Sequence, residues 1–127
     1  MLNLDENFMY WIAGLFEGEA SFMAPAPSAP YTPRIALHMT DEDIIARVAD
    51  AFHRHYNHLP AGKEHWSPSY SMYISGKDSV KVMKCLLPIM SKRRQEQIKR
   101  AMIPRWNYVK PEFILEPPKP RSLNELL

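Results

Sequence analysis

Two acidic residues lie close together at the predicted end of the first helix. Glu17 and Glu19 follow an apolar run that begins at Trp11. The helix dipole disfavours negative charge at the carboxyl end, and a second carboxylate nearby adds repulsion. A bound cation would compensate for both effects, so these positions are candidates for a divalent-metal site. A strand is predicted to start at Ser21, which places this site where the helix meets a sheet.

Small residues occupy one side of the same helix. They are Ala13, Gly14 and Gly18. Glycine costs roughly 1 kcal/mol relative to alanine inside a helix, so two of them predict a packing reason. A spacing of four residues lets two helix backbones approach closely. The pattern therefore predicts that this helix packs against another helix, although a plain core helix with two incidental acids is the simpler alternative.

The nine residues from Ile12 to Ala20 read Ile-Ala-Gly-Leu-Phe-Glu-Gly-Glu-Ala and are followed by Ser and Phe. This segment resembles the motif that names the LAGLIDADG homing endonucleases. The resemblance implies a sequence-specific double-stranded DNA endonuclease that hydrolyses phosphodiester bonds with divalent metal. The motif occurs once, so the resemblance implies the single-motif type. That type is a homodimer, whose twofold symmetry matches a pseudo-palindromic DNA site.

The resemblance also implies roles for individual residues of the motif. By position, Glu19 is the catalytic acid that binds metal, and Ala20 lies with it at the metal. Glu17 matches an earlier acid of the motif, which is more often structural. The residues expected at the dimer interface are Ala13, Gly14, Glu17 and Gly18.

A second stretch, from Leu87 to Gln95, resembles the family's sequence of proline, short gap, lysine and glutamine. In the family this stretch contributes a catalytic basic residue near the scissile phosphates, and Lys92 is the best match for it, with Arg93 as second choice. Asp41 falls where the family often has a polar residue that orients water near the metal, although helix capping explains it as well. The residues expected to contact DNA are Arg34, His38, Lys63, His65, Arg93 and Arg94.

Carboxylate and water ligands suit Mg²⁺ or Mn²⁺, with Ca²⁺ as a non-catalytic substitute. Other readings stay open. One is a DNA-binding relative without catalysis or a maturase-like protein that acts on RNA, and another is a purely structural module. A histidine cluster could bind zinc, although structural zinc sites usually include cysteine, and three aromatic residues could stack on bases. These two sets are His53, His55, His58 and His65, and Trp66, Tyr70 and Tyr73.

Composition bounds the class of protein. The chain has 127 residues, 46% hydrophobic and 24% charged, which predicts one globular domain. The single Cys85 excludes an internal disulfide and fits a reducing compartment. No apolar run approaches the ~20 residues that span a bilayer, and the acidic start does not resemble a signal peptide. We therefore expect an intracellular protein, whether in the cytoplasm or nucleoid, an organelle or a phage-infected host, with no membrane partner.

Charge is unevenly distributed along the chain. Residues 1–50 hold eight acids and two bases, whereas residues 91–110 hold seven bases and one acid. Such asymmetry suits a protein that holds metal with one segment and phosphates with another, although a solvated helix face explains the basic segment equally well.

The predicted element order is α-β-β-α-β-β-α-α, an α+β fold with helices on one face of a curved, antiparallel, four-stranded sheet. Residues 1–110 form the expected endonuclease domain, and residues 111–127 a proline-rich extension. The predicted strands are Ser21–Met23, Arg34–Met39, a weak strand at Lys63–Trp66, and Tyr70–Ser75. The predicted helices start at Asn3 or Asp5, at Thr40 or Asp41, at Asp78 and at Ser91. The second helix frays through Tyr56, and Pro104 kinks or ends the fourth.

Overall fold

The computed structural model describes residues 5–28, 32–62 and 67–106. The helices are α1 (Glu6–Glu19), α2 (Glu42–Ala51), α3 (Lys77–Leu86) and α4 (Lys92–Trp106), and a 3₁₀ turn (Leu87–Ile89) joins the last two. The strands are β1 (Ala20–Met23), β2 (Arg34–Met39), β3 (Asn57–Leu59) and β4 (Ser69–Ser75). This order confirms the predicted fold class. Within these ranges no helix is both long and apolar enough to cross a bilayer.

The four strands form one antiparallel sheet in the order β1-β2-β4-β3. In the central ladder Ile35 pairs with Ile74 and Leu37 with Met72. These side chains are buried, whereas their neighbours along each strand are partly or fully exposed. The alternation places one sheet face against the helices and leaves the other open.

The core lies between the helices and the inner face of the sheet. Helix α1 contributes Ile12 and Phe16, one turn apart and both fully buried. Helices α2, α3 and α4 add apolar residues at the same helical spacing. The largest fully buried side chains of these three helices are Ile45, Val48, Met83, Leu86 and Ile98.

Helix termini follow local chemistry. Asp5 is the N-cap of α1, and its Oδ1 accepts a hydrogen bond from the Phe8 amide at 2.7 Å. Asp41 holds the N-cap position of α2 but its side chain makes no capping bond, so capping does not account for this residue. Gly76, with φ 72°, is the N-cap of α3, and Asp78 lies in the first turn.

The predicted end of the second helix was wrong, and β3 was not predicted. Helix α2 does not fray through Tyr56 but stops at Ala51, where His53 adopts φ 54° and the Arg54 amide donates to the Ala49 carbonyl at 2.8 Å. The third strand is Asn57–Leu59, which pairs with β4, and the expected strand at Lys63–Trp66 lies outside the described residues. Helix α4 continues through Pro104 to Trp106.

Candidate functional site

Glu19 is the last residue of α1, and β1 begins at the next residue without a loop. Ala20 pairs with Leu37 in the antiparallel ladder, so the start of β1 lies beside the end of β2. Glu19 is exposed, and among the described residues its carboxylate makes no hydrogen bond or ion pair, although its charge acts on that of the buried Arg94. A carboxylate fixed at a corner of the sheet and open to solvent is suited to bind a cation.

Glu17 differs from Glu19 because its carboxylate has protein partners. Its Oε2 accepts a hydrogen bond from the Ser91 hydroxyl at 2.9 Å, and its Oε1 accepts one from the Ser91 amide. Arg94 Nε lies 3.7 Å from Oε2. Glu17 therefore ties the end of α1 to the start of α4.

Arg94 lies in the interior rather than on a DNA-facing surface. Only 6% of the residue is exposed. Its Nε donates to the Glu17 carbonyl at 2.8 Å, and its Nη1 donates to the Ala20 carbonyl at 2.6 Å and to Gln97 Oε1 at 2.8 Å. The expected DNA contact of Arg94 is corrected, because its donors are directed into the protein. Arg94 precedes the buried Ile98 by four residues, so both lie on the same face of α4, and this spacing in the sequence could have predicted that Arg94 is buried.

The burial and hydrogen bonding of Ala20 do not favour its expected position at a metal. The residue is 1% exposed, and its carbonyl accepts the bond from a cationic guanidinium. A second cation beside that carbonyl would be repelled. The backbone itself is unstrained, with φ −83° and ψ 156°, so alanine is tolerated here without difficulty.

The start of α4 brings basic residues to the end of α1. Lys92 and Arg93 are exposed and follow Ser91, whose amide and hydroxyl bind Glu17. The Glu17–Ser91 contact therefore holds the start of α4, with its basic residues, at the end of α1. Asp41 follows β2 at the same end of the sheet and is exposed.

The open face of the sheet carries Arg34 and His38, two of the residues expected to contact DNA. The Arg34 guanidinium lies over the ring of Tyr73 at 5.4 Å, and His38 Nε2 is 2.8 Å from Ser69 Oγ. Tyr73, one of the aromatic residues considered for base stacking, is 46% exposed, and the alternation along β4 places it on this face. Lys63 and His65 lie outside the described residues.

The small residues of α1 line an open groove. A methyl group added at Gly14 or Gly18 would meet no atom within 4 Å among the described residues. A groove of about 290 Å³ is lined by Tyr10, Ala13, Gly14, Glu17 and Ile89. Packing within the described chain therefore does not require either glycine.

No three histidine, cysteine or acidic side chains of the described ranges converge into a metal-binding group. His53, His55 and His58 thus form no zinc site by themselves, and His65 lies outside these ranges. Glu19 and Asp41 are the exposed carboxylates that the described residues place at this end of the sheet. A complete set of ligands would need contributions from elsewhere.

Comparison with known proteins gives a relation of fold. No family model matches the chain, and no curated protein matches it. Among solved structures, the archaeal intron-encoded homing endonuclease I-Vdi141I, in complex with DNA, is similar with a TM-score of 0.51 and 13% identity over 97% of this chain and 94% of that one. The chain therefore has the fold of this homing endonuclease.

Proposed function

We propose that the chain is a DNA endonuclease of the homing type that acts as a homodimer with Glu19 of each copy at the reaction centre. The observation that carries the proposal is the position of Glu19, whose carboxylate is exposed at the junction of α1 and β1 and pairs with no side chain among the described residues. The fold shared with a homing endonuclease that was solved with DNA supports the same function.

The groove on α1 supports the proposed homodimer. Gly14 and Gly18 lower the stability of the helix relative to alanine, and the space above them is open among the described residues. The close approach of another helix backbone would compensate for that cost. Pairing this face with its counterpart in a second copy would use that space and bring two Glu19 carboxylates to one axis. Twofold pairing also predicts a pseudo-palindromic DNA site.

The proposed ion is Mg²⁺ or Mn²⁺, held by Glu19 from each copy and by water, without the Ala20 carbonyl. Divalent metal supplies Lewis acidity and lowers the pKa of bound water. Lys92, at the exposed start of α4, would stabilise negative charge on the phosphate. Asp41 is proposed to hydrogen-bond water at the same end of the sheet.

DNA is proposed to lie against the open face of the sheet. Arg34 and His38 would contact base edges in the major groove, and Arg93 would contact a phosphate. Tyr73 holds the Arg34 guanidinium over its ring and so limits the positions that this cation can reach.

A non-cutting DNA-binding protein is the second candidate, because the Ala20 carbonyl is occupied by Arg94 and Glu19 is left without a second ligand from its own junction. Selection from randomised palindromic duplexes, with Mg²⁺ and with chelator, separates the candidates. Metal-dependent cuts at one symmetric sequence support the endonuclease. Retention without cuts supports the binding protein, and failure to bind duplex directs the search to RNA.

The role of Glu19 is tested by Glu19→Gln on the selected duplex. We expect cleavage to be lost while binding survives, because the amide keeps the shape and removes the charge. Glu96→Gln is the matched control, since Glu96 is an exposed acid of α4 that pairs with Lys99. Undiminished cutting by the Glu19 variant would overturn the assignment.

A further inference from the structure

Arg94 is a buried cation that the proposed reaction does not use directly. It is 6% exposed and lies in the first turns of α4. A buried charge is costly unless hydrogen bonds and opposite charges compensate for it. The partners of this guanidinium therefore indicate what it does.

Those partners lie on both sides of Glu19. Nε donates to the Glu17 carbonyl at 2.8 Å, and Nη1 donates to the Ala20 carbonyl at 2.6 Å. The first carbonyl belongs to the last turn of α1, where helical carbonyls have no partner within the helix. The second belongs to the first residue of β1. One rigid guanidinium thus fixes the backbone two residues before Glu19 and one residue after it.

The charges of the junction favour this arrangement. A cation at the carboxyl end of α1 complements the helix dipole. Burial and Arg93 lower the pKa of Arg94, and the charges of Glu17 and Glu19 oppose that shift. Gln97 Oε1 accepts from Nη1 at 2.8 Å and fixes the guanidinium from its own helix.

We infer that Arg94 is a positioning residue for Glu19, which holds the helix-to-strand junction so that the Glu19 carboxylate has one fixed location. The inference rests on the proposed function, in which Glu19 holds the metal at the reaction centre. It assigns the basic stretch of α4 two separate tasks. Lys92 and Arg93 face solvent, whereas Arg94 acts through the backbone of the junction.

The test compares Arg94→Met, Arg94→Lys and the control Arg100→Met, which removes the same charge from an exposed position of α4. We expect Arg94→Met to lower the single-turnover cleavage rate of the selected duplex roughly 100-fold, the effect of a misplaced reacting group. Its dissociation constant for the duplex in Ca²⁺ should stay within about threefold of the parent. Arg94→Lys keeps the charge and can reach one carbonyl, so an intermediate rate is expected. Arg100→Met should match the parent.

A second measurement needs neither DNA nor cleavage. Amide ¹⁵N relaxation should show lower order for residues 18–20 in Arg94→Met than in the parent and in Arg100→Met. Three results in a folded Arg94→Met protein would overturn the inference. One is an amide order at residues 18–20 equal to that of the parent. The others are a cleavage rate equal to that of the parent, and losses of cleavage rate and of DNA affinity that are equally large. If Arg94→Met does not fold, the same two assays are applied to Arg94→Lys. A parental cleavage rate together with parental order at residues 18–20 in Arg94→Lys would overturn the inference. A parent that never cuts DNA would refute the proposed function, while relaxation would still judge Arg94.

Discussion

Replacing Gly14 with alanine should have opposite effects on the monomer and on the proposed dimer. The new methyl group meets no atom within 4 Å among the described residues, so the single chain accommodates it. Alanine then stabilises the helix interior by about 1 kcal/mol. The folding equilibrium constant of the monomer should rise about fivefold.

The same methyl group should weaken the dimer if α1 packs closely on its counterpart. Twofold symmetry places two added methyl groups in one interface. Overpacking costs about 1–3 kcal/mol for each, so the dimer should lose at least about 2 kcal/mol. That loss raises the dimer dissociation constant roughly thirtyfold.

Sedimentation equilibrium measures the dissociation constant, and urea unfolding at concentrations where the variant is monomeric measures monomer stability. Gly62→Ala is the control, because its methyl group also enters open space but lies outside any helix. An unchanged dissociation constant together with a stabilised monomer would refute the assignment of this face to the interface. A parent that is monomeric at micromolar concentration would refute the dimer itself.

Three further predictions concern the stability of the folded chain. Hydrogen bonds to Glu42 are the main cause that raises the pKa values of Tyr56 and Tyr70 above 10.0. Because the folded state keeps these protons while the unfolded state loses them, stability should fall as pH rises above 10, and Glu42→Gln should reduce that fall in urea titrations across this range. His53→Gly should stabilise the chain by about 1 kcal/mol in urea unfolding, since His53 has φ 54°; a loss of stability would show that its side chain matters more than its backbone. Gly76→Ala should destabilise by roughly 1–3 kcal/mol, because Gly76 has φ 72° and ψ −141°, and an unchanged unfolding midpoint would contradict that reasoning.

The element order and most boundaries could be predicted from the sequence because they depend on local periodicity. Strand β2 was predicted from Arg34 to Met39, as found. The missed strand is β3, whose three residues are all exposed and show no alternation of apolar and polar side chains. Its existence depends on hydrogen bonds to β4, which lies ten residues further along the chain. Local sequence carries no record of such a pairing.

The site divides in the same way. The sequence by itself determined that Glu17 and Glu19 end a glycine-bearing helix directly before a strand, because helix and strand periods are local properties. Only the tertiary structure decided that Glu17 binds Ser91 and that Glu19 is left exposed. Only the tertiary structure likewise decided that Arg94 is buried while Lys92 and Arg93, which carry the same charge, are exposed. The direction of a side chain depends on how α4 packs against β1, and that packing is set by contacts between residues more than 70 positions apart.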